Sequence, residues 1–179
     1  MDPIKVQGIT DWPTPTNLRE LRSFLGFGNY YKDFIQGYSQ ITRPLYDLTR
    51  KNIQWQWNYP QNNAFQLLKE LFISYPVLHN PDSAKCYVLD TDASQYAVGA
   101  TISQNYPDGN HPIAFFSQSL SNAKCNYDTY DQELLAIIYA LKAFRYLLIG
   151  AQQKFLIWTD HQNLKYFKSP QKITSWQAR

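Results

Sequence analysis

The feature that most constrains the fold is a set of four strand-like segments with one long helical segment between the third and the fourth. The segments KCYVLDTDAS, AVGATISQ and HPIAFFSQSL are separated by short, turn-rich links. The long helical segment follows, and then come the strand-like KFLIWTDH and the short helical QNLKYFKS. Short links favour antiparallel pairing, whereas a helix between two strands favours a crossover. We therefore predict the order β-β-β-α-β-α, an α+β or α/β arrangement in which helices cover a mixed sheet.

The first part of the chain has the 3.6-residue periodicity of amphipathic helices instead. One helix is expected to begin after Asn17, which can act as its N-cap with Glu20 three residues later. Gly26 and Gly28 are expected to loosen or end it. Further helices are predicted over residues 30–35, 41–49 and 60–74. The chain therefore divides into a small helical segment, residues 1–78, and a sheet-containing domain, residues 79–179.

Composition limits the classes of function. Hydrophobic residues make up 44% of the chain, which is enough for a folded core. The net charge of +3 is compatible with nucleic-acid binding but too small to identify it. The N-terminus lacks the apolar core of a secretory signal, and Lys142 and Arg145 interrupt the longest apolar stretch. We therefore expect no membrane segment and an intracellular location, in a cytoplasmic particle or the nucleus.

Three acidic residues are distinguished by their positions. Asp92 follows the first strand, Asp160 follows the fourth, and Glu133 lies in the first turns of the long helix. If the first and fourth strands are neighbours, Asp92 and Asp160 reach the same edge of the sheet. Glu133 precedes Ile137 by four residues, so both are predicted to face the sheet. A buried carboxylate needs a partner, and divalent cations prefer oxygen ligands.

Three carboxylates around one hollow suit a site for two Mg²⁺ or Mn²⁺ ions, which can activate water and stabilise a leaving oxygen. The alternative for Asp92 is a solvated acid at a strand end. Asp90 is predicted to be structural or exposed. Asp128 and Asp131 are competing acids near the start of the long helix, where the helix dipole favours negative charge.

At these residues the sequence resembles a known family. LDTDASQYAVGATISQ, the region from HPIAFFSQSL to RYLLIG, and FLIWTDHQNLKYF resemble the ribonuclease H domain of reverse transcriptases from long-terminal-repeat retrotransposons of the Ty3/gypsy class. The upstream ITDWPTPTNLRELRSFLGFGNYYKDFIQGYSQITRPLYDLTRK and AFQLLKELFISYPVL resemble the thumb and connection segment of the same polyproteins. The resemblance covers nearly the whole chain.

The resemblance implies a mixed five-stranded sheet and metal-dependent cleavage of the RNA strand of RNA–DNA hybrids. It assigns the family's first acid to Asp92, its helix acid to Glu133 and its third acid to Asp160, and leaves Asp90 outside the catalytic set. The family's last strand and helix, with a fourth catalytic Asp, are expected to be missing, and no Tyr-x-Asp-Asp polymerase motif occurs. The alternative is therefore a catalytically inactive remnant that binds nucleic acid or serves assembly.

The expected partner is an RNA–DNA hybrid, recognised through its shape, its 2′-hydroxyls and its phosphates. Lys165, Lys168 and Lys172 could form a basic flank beside the site and contact phosphates, although a solvated helix face is an equally good interpretation. The remainder of a reverse transcriptase polyprotein and a homodimer partner are further possible partners.

Overall fold

The structure, a computed structural model, describes residues 8–74 and 78–159. Its helical segment contains α1, a 3-10 turn, α2 and α3, and the remaining elements build a sheet with helices. In chain order the elements are α1 Leu18–Tyr30, the 3-10 turn Lys32–Phe34, α2 Tyr38–Asp47, α3 Tyr59–Ile73, β1 Tyr87–Ala93, β2 Ala97–Tyr106, β3 Gly109–Ser119, α4 Asn122–Cys125, α5 Thr129–Ala143, α6 Arg145–Leu148 and β4 Leu156–Trp158.

The sheet has the strand order β3-β2-β1-β4. β2 is antiparallel to both β1 and β3, whereas β4 is parallel to β1, with Asp90 opposite Trp158. The Thr91 hydroxyl also donates a hydrogen bond to the Trp158 carbonyl, at 3.2 Å. The predicted mixed sheet with flanking helices is therefore confirmed over its first four strands. The helix predicted over QNLKYFKS lies outside the described residues.

Helix α5 provides the crossover from β3 to β4 and packs on the sheet. Its buried residues include Glu133, Ala136 and Ala140, and the two alanines lie in the cores formed with β1 and β2. Ile137, which was predicted to face the sheet together with Glu133, is half-buried. The small alanine side chains let the helix approach the strands closely.

The helical segment has an aromatic core of its own. Phe24 of α1 and Phe65 of α3 are fully buried, with ring centroids 4.6 Å apart, and Phe72 lies beside Phe24 at 6.2 Å. The predicted helix over 60–74 is confirmed as α3, whereas residues 30–35 contain only the short 3-10 turn. The expectation that Gly26 and Gly28 would loosen or end α1 was wrong, since α1 continues to Tyr30.

Side chains of α2 and α3 fill the space beside Gly28, so this position of α1 has no room for a side chain. A Cβ atom at Gly28 would lie 2.8 Å from the Tyr38 hydroxyl oxygen and 3.2 Å from Cζ of Phe72. At the exposed Gly26, by contrast, a Cβ atom would meet nothing within 4 Å. The absence of a side chain at Gly28 therefore allows α1, α2 and α3 to pack together.

The predicted N-cap of α1 is confirmed. The Asn17 side chain accepts the backbone N–H of Glu20 at 3.0 Å. The Glu20 carboxylate in turn accepts the Thr16 N–H at 2.7 Å and the Asn17 side-chain amide at 2.7 Å. These bonds lower the pKa of Glu20 from its ordinary value of 4.5, the Thr16 N–H being the largest cause.

The helical segment packs against β3 through the 3-10 turn and α2, and specific side-chain contacts reinforce this packing. The Ser39 N–H of α2 donates to the Ser117 hydroxyl of β3 at 2.9 Å. The Arg43 guanidinium lies over the ring of Tyr96, in the β1–β2 turn, 3.0 Å from its centroid. The division of the chain at residue 78 stays a prediction. None of the helices within residues 8–74 and 78–159 has the length and apolar character needed to cross a membrane.

We predict opposite effects for the same substitution at two glycines of α1. Gly28→Ala should lower the free energy of unfolding by about 1–3 kcal/mol, because buried rings must move. Gly26→Ala should raise it by about 0.5–1 kcal/mol, because alanine is the better helix former. Urea denaturation followed by circular dichroism measures both values. Equal stability of the two variants would contradict the described packing at Gly28.

A second prediction concerns pH and the N-cap of α1. Because the pKa of Glu20 is lowered in the folded state, its ionised carboxylate stabilises the fold above pH 4.5. This stabilisation is lost as the pH falls through the lowered pKa, and Glu20→Gln should lack it. Thermal melts of both proteins should therefore differ at pH 7 and converge in acid. A difference that persists unchanged in acid would contradict the assigned cause.

Candidate active site

Asp92 lies near the C-terminal end of β1, and its side chain is exposed. Strand alternation puts Asp90 and Asp92 on the same face of the sheet, the face opposite to that packed against α5. Gly99 is the cross-strand neighbour of Asp92, and Thr101 is that of Asp90. The absence of a side chain at Gly99 leaves open space beside the Asp92 carboxylate.

Asp90 and Asp92 line a cavity of about 700 Å³ between the sheet and the helical segment. The sheet contributes strand residues that include Thr101, Phe115 and Ser117. The opposite wall comes from the helical segment, through the stretch 34–37, the first turn of α2 and the end of α3. The cavity is therefore a shared one, with acidic groups on the sheet side and a mixed polar and apolar wall on the helical side.

Asp90 is half-buried in this cavity, and burial raises its pKa above the ordinary value of 3.8. Neither Asp90 nor Asp92 forms a salt bridge within the part of the chain that the structure describes. Two carboxylates on one face without a protein cation give this end of the cavity a negative potential. Such a potential attracts metal cations and repels phosphate groups that have no bound cation.

Glu133 is buried at 3% exposure in the second turn of α5, on the side that faces the sheet. Its Oε1 atom accepts the backbone N–H of Ala93 at 3.3 Å. Ala93 directly follows Asp92, so the structure brings the Glu133 carboxyl group to the end of β1 at which Asp92 lies. The predicted sheet-facing position of Glu133 is therefore confirmed.

Asp128 and Asp131, the two competing acids, lie at the N-terminus of α5. Asp128 is the N-cap of α5, and its side chain accepts the Asp131 N–H at 2.9 Å. Asp131 lies in the first turn, where the helix dipole favours an acid. Asp128 thus has the role of a helix-terminal acid that the sequence suggested as the alternative.

Several predicted site residues cannot be placed in this geometry. Asp160 and the basic residues Lys165, Lys168 and Lys172 lie outside the described residues. Within residues 8–74 and 78–159 no group of three or more His, Cys, Asp or Glu side chains is arranged to hold a metal ion. Of the three predicted carboxylates, the structure thus describes Asp92 and Glu133, at the same strand end.

The described donors fit a hard divalent cation. Both are carboxylates, which are the ligands that Mg²⁺ and Mn²⁺ prefer. Asp92 is open to solvent, while the Ala93 N–H holds one oxygen of the buried Glu133 carboxyl group. One accessible and one oriented carboxylate at a strand end suit an open site that a further ligand completes.

Sequence reasoning missed the helical wall of the cavity. Gln36, Gly37 and Gln40 line the same space as Asp92, although more than fifty residues separate them along the chain. Gly37 carries the one local signal, because its φ of +67° marks a turn before α2. Nothing in the local pattern indicates that this turn faces the acidic strand.

The comparisons with known proteins agree with this architecture. Residues 57–157 match the family model described as the RNase H-like domain found in reverse transcriptase. The chain is also 41% identical over 160 residues to the transposon Tf2-3 and Tf2-4 polyproteins of Schizosaccharomyces pombe. These alignments cover 89% of the chain but only 12% of each polyprotein.

Two solved structures have a similar fold. A foamy viral protease-reverse transcriptase in complex with RNA/DNA hybrid superposes with a TM-score of 0.73 at 22% identity, over 99% of this chain and 24% of that one. The same type of protein in complex with dsDNA gives a TM-score of 0.76 at 21% identity, over 99% of this chain and 38% of that one. At such low identity the likeness establishes the fold alone. Because the family model spans more than half of its residues, the chain belongs to the family of RNase H-like domains found in reverse transcriptases.

Proposed function

We propose that this domain cleaves the RNA strand of RNA–DNA hybrids with the help of divalent metal ions, as the ribonuclease H part of a retrotransposon reverse transcriptase. The observation that carries the proposal is the approach of a buried acid of α5 to the strand end that carries Asp92. The buried Glu133 carboxyl group accepts the N–H of the residue that directly follows Asp92. Acids that a fold brings to one strand end from separate elements are typical of catalytic sites.

The strand register supports a third member of the site. Asp90 of β1 pairs with Trp158 of the parallel strand β4. In the sequence, Asp92 lies two residues after Asp90, and Asp160 lies two residues after Trp158. Parallel strands advance together, which favours the assignment of Asp160 as the third carboxylate.

Asp92, Glu133 and Asp160 would hold Mg²⁺ or Mn²⁺ in a two-metal site, and the bound ions would activate water and stabilise the leaving oxygen of a phosphodiester. The chain's own residues prepare this chemistry. Asp92 offers an exposed carboxylate, and the Ala93 N–H orients the Glu133 carboxyl group. Burial of Glu133 lowers the local dielectric, which strengthens the attraction of its ionised form for a cation.

The proposed substrate is consistent with what similar proteins bind. The foamy viral enzyme of similar fold was solved with an RNA/DNA hybrid, and the curated relatives are transposon polyproteins. For this chain we propose the same substrate class, with Lys165, Lys168 and Lys172 as phosphate contacts. The domain would then act as one part of a longer polyprotein.

We predict that Asp92→Asn abolishes metal-dependent cleavage of a labelled RNA–DNA hybrid, because the amide removes a negative ligand. Loss of at least about a hundredfold in kcat/KM is expected for removal of such a group. The matched control is Asp108→Asn, the same change in the β2–β3 turn, at the end of β2 remote from Asp92. Single-stranded RNA and duplex DNA should remain uncut.

Glu133→Gln should weaken metal binding as well as cleavage, because the neutral amide is a poorer ligand than a carboxylate. Calorimetric titration with Mn²⁺ measures this directly, in the absence of nucleic acid. We expect the affinity to fall by about tenfold or more, as happens when the support of a metal site is removed. Unchanged Mn²⁺ affinity in a folded variant would contradict the role of Glu133.

A wild-type protein that is folded, binds the hybrid and cuts nothing with either metal would overturn the proposed cleavage. The catalytically inactive alternative, a nucleic-acid-binding or assembly domain, would then explain the chain. An equal loss of cleavage activity in Asp92→Asn and in the control Asp108→Asn would argue against Asp92 as a metal ligand.

A further inference from the structure

We infer that Gln36 and Gln40 of the helical segment contact the substrate beside Asp92 and select RNA by hydrogen bonding to its 2′-hydroxyl groups. The inference rests on the proposed function, because it takes an RNA–DNA hybrid as the substrate. It assigns a part of substrate recognition to residues that lie outside the sheet and outside the carboxylate set.

The cavity beside Asp92 has two walls, one from the sheet and one from the helical segment. The cavity that contains Asp92 is closed on its far side by the helical segment, through Gln36, Gly37 and Gln40. A substrate group that enters the cavity to reach Asp92 therefore faces these residues on the opposite wall. At about 700 Å³, the cavity has the size of a typical small-molecule pocket, and it can accept a sugar with its neighbouring atoms.

The side-chain amides of Gln36 and Gln40 are accessible to a ligand. Both side chains are exposed, and neither makes a side-chain hydrogen bond within the part of the chain that the structure describes. Gln40 lies in the first turn of α2, and its Oε1 atom is 3.8 Å from the Cβ position at Gly37. An added side chain at Gly37 would therefore meet the Gln40 amide.

Neighbouring contacts hold the wall that carries Gln36 and Gln40 in position. Ile35 and Tyr38, which flank the turn, are buried at 3% exposure in the core of the helical segment. The Ser39 N–H donates to the Ser117 hydroxyl of β3, at 2.9 Å, and the Arg43 guanidinium packs over Tyr96 in the turn after β1. These contacts tie α2 to β3 and to the turn that follows Asp92, so the amides of Gln36 and Gln40 can select by geometry.

The chemistry of the wall favours a hydroxyl group as its ligand. A glutamine amide offers both donor and acceptor atoms, and the 2′-hydroxyl of RNA is likewise both a donor and an acceptor. The carboxylates of Asp90 and Asp92 disfavour a bare phosphate in the same space. A DNA strand lacks the hydroxyl, so it would leave these hydrogen bonds unmade.

The test compares binding of a fluorescent RNA–DNA hybrid and a DNA duplex of the same sequence, by anisotropy in EDTA, where no metal-dependent cutting occurs. The variants of the full 179-residue chain are Gln36→Ala, Gln40→Ala and the double variant. We expect the Kd for the hybrid to rise about threefold for each and about tenfold for both, as for neutral hydrogen bonds. The Kd for the DNA duplex should not change.

Gln66→Ala is the matched control, because Gln66 is exposed on α3 and does not line the cavity. It should leave both Kd values unchanged, and equal thermal melting of all variants would show that the fold is intact. A folded double variant with the wild-type preference for the hybrid would overturn the inference. So would a wild-type protein that binds hybrid and DNA duplex equally or binds neither.

The outcome separates this inference from the proposed cleavage. A wild-type protein that binds the hybrid through Gln36 and Gln40 but never cuts it would support the inference and contradict cleavage. If the double variant cuts the hybrid normally, with unchanged KM and unchanged hybrid affinity, the proposed cleavage stands and the role of Gln36 and Gln40 is contradicted.

Discussion

The parallel pairing of β1 with β4 is the constraint on which the rest of the structure depends. Parallel neighbours need a crossover, and α5 supplies it by packing across the sheet between them. The packing requires a narrow helix face, which Ala136 and Ala140 provide. Because the same face carries Glu133 one turn earlier, the crossover that completes the sheet also brings a carboxyl group to the end of β1.

The helical segment takes part in the site in addition to having its own core. Its aromatic side chains form a separate core around Phe24 and Phe65, yet the turn before α2 forms one wall of the cavity that contains Asp92. Gly28 makes this arrangement possible by letting α1 and α2 approach closely. A substitution of a core residue of the helical segment would therefore change the shape of the cavity, although the helical segment contributes no acid to it.

Much of this could be predicted from the sequence. Alternating strand residues, the short turn-rich links between the first three strands and the N-cap at Asn17 are local signals, and the structure confirms each of them. The errors arose where packing decides. Apolar periodicity does not reveal that the two small residues Ala136 and Ala140 provide the contact of α5 with the sheet cores. Gly26 and Gly28 were expected to weaken α1, because their helix-breaking tendency is local whereas the support for the helix comes from its neighbours.

The sequence by itself determined the order of the four strands and the long helix and the mixed character of the sheet, because strand periodicity and link length are properties of short segments. Only the tertiary structure decided that the Glu133 carboxyl group reaches the backbone beside Asp92, and that Gln36 and Gln40 lie across the cavity from it. Those juxtapositions join residues separated by tens of positions. They depend on how side chains of α2 and α5 pack against the sheet, and a local sequence pattern does not indicate such long-range packing.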